Sequence, residues 1–133
     1  MKKKTPVQLC KDRIQDKLRH LAILKYKRCE ARGIDRKCTP PLQADHIESR
    51  GSANTYADID NIILLCYGHH FWWKKQYPNR WAALVEATRG DGTISRLAEI
   101  ARTNVGTHLL ADWLKAEAEL DELTKKYKEK LEK

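Results

Sequence analysis

The chain has 133 residues, room for one domain with its own core and too few for two comfortable ones. Lys and Arg total 26 against 18 Asp and Glu, a formal net charge of +8, and that excess favours a polyanionic partner. No apolar run approaches the roughly 20 residues that cross a bilayer, and MKKKTPVQLCKDR has no apolar stretch after its lysines, so neither a membrane span nor an export signal is expected and the cytoplasm is the expected location.

Thr5-Pro6 reads as an N-cap followed by a first-turn proline. Val7, Cys10, Ile14, Leu18, Leu21 and Leu24 then recur at steps of three and four, the stripe of an amphipathic helix over 5–28. Cys10 lies on the stripe, as a small buried apolar residue does, and His20 lies off it, toward solvent. From Cys29 the texture changes: CEARGIDRKCTPP has no helical period and reads as a constrained loop. LQADHIE alternates loosely, as a short strand does, SRGSANTYADID is polar and turn-rich, and NIILLC has the length and apolarity of a second strand. YGHHFWWKK returns to a helical texture that Tyr77-Pro78 ends. A helix is expected from Asn79 to Arg89, closed by Gly90, and Thr93 is expected to cap another, from Ile94 to about Thr103, with Asn104-Val105-Gly106 as its exit. From about His108 one long charged helix carries a heptad seam of Leu109, Trp113, Ala116, Leu120, Leu123 and Tyr127. The seam either packs back on the same domain or pairs with a second copy in a homodimer. The four cysteines stand at positions 10, 29, 38 and 66; in a chain without an export signal, metal binding or plain burial is expected rather than disulfides.

Between positions 29 and 70 gather Cys29, Cys38, Asp45, His46, Cys66, His69 and His70. A structural zinc site takes four thiolate or imidazole ligands, usually as two close pairs on two turns. Cys66-x2-His69 is one such pair, and Cys29 with Cys38 is a wider second; the alternative is that these two are unrelated loop cysteines. Asp45-His46 at a strand end offers an oxygen and an imidazole pointing to opposite faces if the strand is regular. With His70 they form a set that can hold a divalent cation with open positions beside an imidazole able to activate water. Read plainly, His46 and His70 are ordinary polar residues of a small domain.

The segment from Cys29 to about Pro78 resembles the HNH endonucleases. The parts that carry the resemblance are CEARGIDRKC, ADHIESRG, DIDNIILL and CYGHH, where that family has a cysteine pair, a strand ending in Asp/His-His, an Asn after a loop, and a Cys-x-x-Cys-His turn opening a helix. HHFWWKKQYP also looks like the His-x-Trp-Trp and trailing Pro of phage-borne members similar to the NinG recombination proteins. The resemblance implies a small ββα-metal core over 29–78; with the N-terminal helix over 5–28 and the helical extension over 79–133 that ends in the long helix, the chain is expected to be mainly α and a single domain over 1–133. It implies a general base at His46, catalytic-metal ligands at Asp45 and His70, and at Asn61 the asparagine that braces the loop and orients the base or reaches the metal. It also implies zinc held by Cys29, Cys38, Cys66 and His69. His69 stands where the family usually has Cys, and the first cysteine pair is spread beyond Cys-x-x-Cys, so His69 and His70 can trade roles.

On that reading the protein is a metal-dependent endonuclease of phage or prophage type acting on DNA. Its catalytic cation would be Mg²⁺ or Mn²⁺, with Ni²⁺ also fitting oxygen and imidazole ligands. A neutral His46 would make activity fall on acidification. Arg50, Lys74 and Lys75 flank the site and are expected either to contact phosphates or to form a solvated basic face. Trp72 and Trp73 divide between packing and base stacking, and Trp81 and Trp113 read as packing. The competing reading is a non-catalytic zinc-containing module that binds DNA or a DNA-processing partner. A helical adaptor using the final heptads explains the tail and ignores the centre.

Overall fold

The computed structural model describes residues 2–103 and 108–132, so the expected exit turn at Asn104-Val105-Gly106 lies outside the described residues. Helix α1 (Pro6–Tyr26) opens with a reciprocal cap, Gln8 N donating to Thr5 Oγ1 at 3.2 Å and Thr5 N to Gln8 Oε1 at 2.8 Å. Its stripe buries Cys10, Ile14, Leu18 and Leu21, while His20 is exposed. It ends two residues short of expectation because Lys27 turns to φ 72° and donates its N–H to the Ile23 carbonyl.

Strands β1 (Leu42–His46) and β2 (Ile62–Cys66) pair antiparallel, with Leu42 opposite Cys66 and His46 opposite Ile62. The polar, turn-rich stretch between them also holds a short helix, α2 (Ala53–Tyr56), and a 3₁₀ turn, Ile59–Asn61. Tertiary contact explains α2: Tyr56 is buried and its hydroxyl donates to the Lys11 carbonyl of α1 at 3.1 Å. After β2 the chain turns at once into a π-helical turn, His69–Trp73, which runs on into the α-helical turn α3 (Lys74–Gln76).

Helix α4 (Pro78–Arg89) starts on its proline and stops at Gly90, where φ is 106°. Helix α5 (Thr93–Arg102) has Gly92 rather than Thr93 at its cap, with no capping side chain on it. Glu86 of α4 does that work instead, accepting from Gly92 N at 3.0 Å and Ile94 N at 3.3 Å, while Thr93 Oγ1 donates to the Gly90 carbonyl. Helix α6 (Leu110–Leu131) returns along α1. Trp113 and Leu120 of its seam enter the core, Ala116 and Tyr127 pack at the rim, and Leu109 and Leu123 remain exposed.

The molecule is thus mainly helical around a two-stranded sheet. All five residues of β2 are buried, because each face of the sheet has its own core. Ala44, Ile62 and Leu64 join α1, α6 and Tyr56 on one face. Ile63 and Leu65 join Trp73, Val85, Leu97 and Cys29 on the other. Side chains satisfy the outward-facing carbonyls: Arg19 Nε donates to Leu42 O at 2.7 Å and Gln15 Nε2 to Ala44 O at 3.3 Å on the β1 edge. On the β2 edge Glu30 exchanges two bonds with the Leu64 backbone, and Arg89, paired with Glu30, donates to Ile62 O at 3.0 Å.

Candidate functional site

Cys66 is the last residue of β2 and His69 opens the π-turn, so the pair sits where the strand becomes helix. Cys29 follows α1, and the residues from it to Cys38 fold tightly, with Arg32 N bonded to Cys29 O, Ile34 N to Ala31 O, and positive φ at Gly33 and Asp35. This compaction brings the widely spaced Cys29 and Cys38 to one point with the other pair. The Sγ atoms and His69 Nδ1 all lie within 4.8 Å of one another, and Nδ1 is 3.1, 3.6 and 3.8 Å from the sulfurs of Cys66, Cys29 and Cys38. Tetrahedral zinc, with bonds of about 2.3 Å to sulfur and 2.0–2.1 Å to nitrogen, sets sulfur–nitrogen edges of about 3.6 Å. His69 Nε2 lies 2.9 Å from the Ile34 carbonyl and donates to it, which leaves the Nδ1 lone pair facing the thiols. Burial pushes the Cys29 thiol up to about 12 and raises that of Cys38. Burial also acts upward on Cys66, but the His69 and Thr39 backbone N–H groups, each 3.4 Å from its sulfur, outweigh it and bring it down to about 6. The four residues form a group that can hold a metal ion such as zinc.

One residue after His69, the helix presents His70 in another direction. Its Nε2 lies 3.2 Å from Asp45 Oδ1, and its Nδ1 lies 2.6 Å from Gln43 Oε1. His69 and His70 are therefore separated by geometry: the first faces three thiols, the second a carboxylate. Asp45 is buried on the α4 side of β1, where Trp81 Nε1 donates to its Oδ2 at 3.0 Å and Lys74 Nζ to its Oδ1 at 2.8 Å. His46 follows it on the opposite face, as strand alternation requires. Its Nε2, 2.9 Å from the Tyr56 carbonyl, carries the hydrogen, and its buried Nδ1 has no partner among the described residues. Burial pushes the His46 imidazole below its ordinary 6.5; the Tyr56 carbonyl opposes this and Arg50 adds to it.

Asn61 is fully buried and braces the loop beyond His46. Its Oδ1 accepts from Glu48 N at 2.7 Å, its Nδ2 donates to the carbonyls of Glu48 and Thr55, and its own carbonyl accepts from Ile47 N. Its bonds hold the loop, and none of them reaches Asp45.

Asp45, His46, His70, Lys74, Arg50 and Phe71 line a cleft of about 960 Å³ between α1 and α3. Lys75 is exposed and outside that lining. Of the tryptophans, Trp73 packs with 1% exposure and Trp72 stands 58% exposed. Two contributors went unrecognised in the sequence. Gln43 lies two residues before Asp45, hence on the same strand face, and that alternation was a signal for it. Trp81 was read as packing, and nothing in its sequence setting marks an indole N–H bound to Asp45. No family model, curated protein or solved structure matches the chain.

Proposed function

We propose that this protein is a metal-dependent endonuclease of HNH type that hydrolyses DNA phosphodiester bonds, with Cys29, Cys38, Cys66 and His69 holding a structural zinc. The observation that carries the reading is His46. The Tyr56 carbonyl fixes its tautomer and leaves the buried Nδ1 lone pair without a partner among the described residues, and His46 lines the same cleft as Asp45 and His70. A buried imidazole held neutral with one free nitrogen is suited to take a proton from water.

Asp45 and His70 fit a divalent cation. Two neighbouring ligands on an octahedral ion with bonds of about 2.1 Å stand about 3.0 Å apart, against 3.2 Å between Oδ1 and Nε2 here. With Nδ1 donating to Gln43, the Nε2 lone pair faces the carboxylate, an arrangement that a cation between them would relieve. A divalent cation such as Mg²⁺ or Mn²⁺ would be held by Asp45 and His70 and would supply positive charge for phosphodiester hydrolysis. His46 accepts the proton of the attacking water at Nδ1, Asn61 holds the loop that positions it, and Trp81 fixes the second oxygen of Asp45. Arg50 and Lys74 offer positive charge to the flanking phosphates, a sequence-independent grip.

The Lys74 ammonium on Asp45 Oδ1 favours a second reading, because it already neutralises the carboxylate. That reading is a non-catalytic zinc-containing module that binds DNA or a partner. Nicking of supercoiled plasmid in Mg²⁺ or Mn²⁺, with wild type beside folded His46→Ala, separates the two. Cleavage that His46→Ala loses supports the nuclease and its base. Absence of cleavage by both proteins across metals and DNA forms rejects the nuclease in favour of the module. Equal cleavage by both rejects His46 as the base.

A further inference from the structure

The same helical turn that carries His69 and His70 also presents aromatic side chains that neither metal group uses. Tyr67, Phe71 and Trp72 are 39%, 47% and 58% exposed. The rings of Tyr67 and Phe71 adjoin, with Trp72 next in the chain, and adjoining large aromatics left half in water are costly unless something covers them. The π-turn explains how they come to be there: with His69 and Trp73 turned inward and His70 into the cleft, Phe71 and Trp72 are left facing out.

The rings form a path. Tyr67 and Phe71 lie 4.8 Å apart, and Phe71 and His70 4.5 Å apart, so aromatic faces run from the surface to the side chain beside Asp45. Phe71 itself lines the cleft. The frame is cationic: the Arg36 guanidinium lies against Gly68 at one end, and Lys75 is exposed at the other. A protein partner seeking an apolar docking patch would meet aliphatic neighbours; this patch meets positive charge. Aromatic faces interleaved with cations are what unstacked nucleobases and their phosphates require.

We infer that Phe71, with Tyr67 and Trp72, is a stacking platform for unpaired nucleobases next to the phosphate held at Asp45 and His70, so that the preferred substrate is DNA with single-stranded character at the cleavage point. This inference rests on the nuclease reading for its scissile phosphate. The physical reason for the preference is access. In duplex DNA both faces of each base are covered by its neighbours, and a side-chain ring can reach a face only where a base has left the stack.

The test measures binding separately from cleavage. His46→Ala protein is titrated by fluorescence anisotropy with a labelled single-stranded DNA and with the duplex of the same length and sequence, at one fixed salt concentration. The single strand is expected to bind more tightly. Adding Phe71→Ala is expected to weaken single-strand binding about tenfold and duplex binding less than twofold, with Phe71→Tyr restoring it. Trp72→Ala, at a still more exposed position, is a second arm in which folding is not in question. Equal losses on both DNA forms, or no loss with either variant, would overturn the platform. If the strand preference and its loss in Phe71→Ala are seen while wild type never cleaves, the platform stands and the nuclease reading fails. If wild type cleaves and the variants bind as their parent does, the platform alone fails.

Discussion

At Gln43, an uncharged side chain decides what a charged site can do. Its Oε1 accepts from His70 Nδ1 at 2.6 Å, and this single bond selects which imidazole nitrogen faces Asp45. Remove it and His70 is free to rotate or to carry its hydrogen on Nε2, pointed at the carboxylate. Gln43→Ala is therefore expected to lower Mn²⁺ affinity about 10–100-fold, the range seen when such outer partners of a ligand are lost. Titration calorimetry on zinc-loaded protein checks this, and unchanged affinity would show that His70 is oriented without Gln43. The same kind of reasoning explains what could be read from residue types here. Asp45, His46 and His70 stand out in the sequence as an oxygen and two imidazoles able to serve a cation and a water, and in the structure all three line one cleft. The group that sets the His46 tautomer does not stand out, because it is the main-chain carbonyl of Tyr56, which any residue at position 56 would supply.

Among the elements, the buried ion pairing between α1 and α6 centres on Glu117. Glu117 accepts from Arg13 at 2.8 and 2.9 Å and from Lys17 at 3.0 Å. The Arg13 guanidinium foremost, with Lys17, holds its carboxyl down at about 2 from an ordinary 4.5. A depressed carboxylate contributes stability above its unfolded pKa and loses it as pH falls through the folded one, here from about 4.5 toward about 2. Because Arg13 is half exposed, solvent screening reduces the contribution to about 1–2 kcal/mol. Urea midpoints at pH 7 and pH 3 should fall further for wild type than for Glu117→Gln, and equal falls would rule the pairing out as the cause. A second expectation concerns the turn at the end of β2. Its His69 and His70 are neighbours that face three thiols and a carboxylate, so on the proposed function removing a metal from the thiol group should disturb both. Purified protein is expected to release one zinc per chain to a colorimetric chelator after thiol modification. The stripped protein should then melt at lower temperature and lose Mn²⁺ binding at Asp45 and His70; an unaltered melting curve would deny the zinc a structural role.

Seen as a whole, the molecule follows the sequence closely where one physical signal dominates and departs where tertiary contact does. The α1 stripe, the apolar NIILLC strand, and the Pro78 and Gly90 boundaries of α4 were all legible because periodicity or a single punctuating residue is decisive there. Helix α2 was not, since SANTY is helical only because Tyr56 is drawn onto α1. The cap of α5 was assigned to Thr93, whereas the capping oxygens come from Glu86, on the preceding helix. The final seam turned out to lie along α1 rather than leave its whole face free, and the ion pairs from Arg13 and Lys17 that settle its position pair residues more than a hundred positions apart. Such pairings cannot be read from local windows.

The covered edges of the small sheet have a consequence for how the protein survives stress. A two-stranded sheet with open outer positions invites a further strand, from another molecule or from a misplaced segment of its own. Here the side chains of Arg19, Gln15 and Arg89, with the side chain and backbone N–H of Glu30, occupy those positions, so the sheet terminates itself. The protection is reversible by design of the bonds: a thermal fluctuation that frees Arg89 uncovers IILLC, a segment without charge or proline and of high strand tendency. Precipitation on heating should therefore begin with the sheet, while most of the helical content is still present.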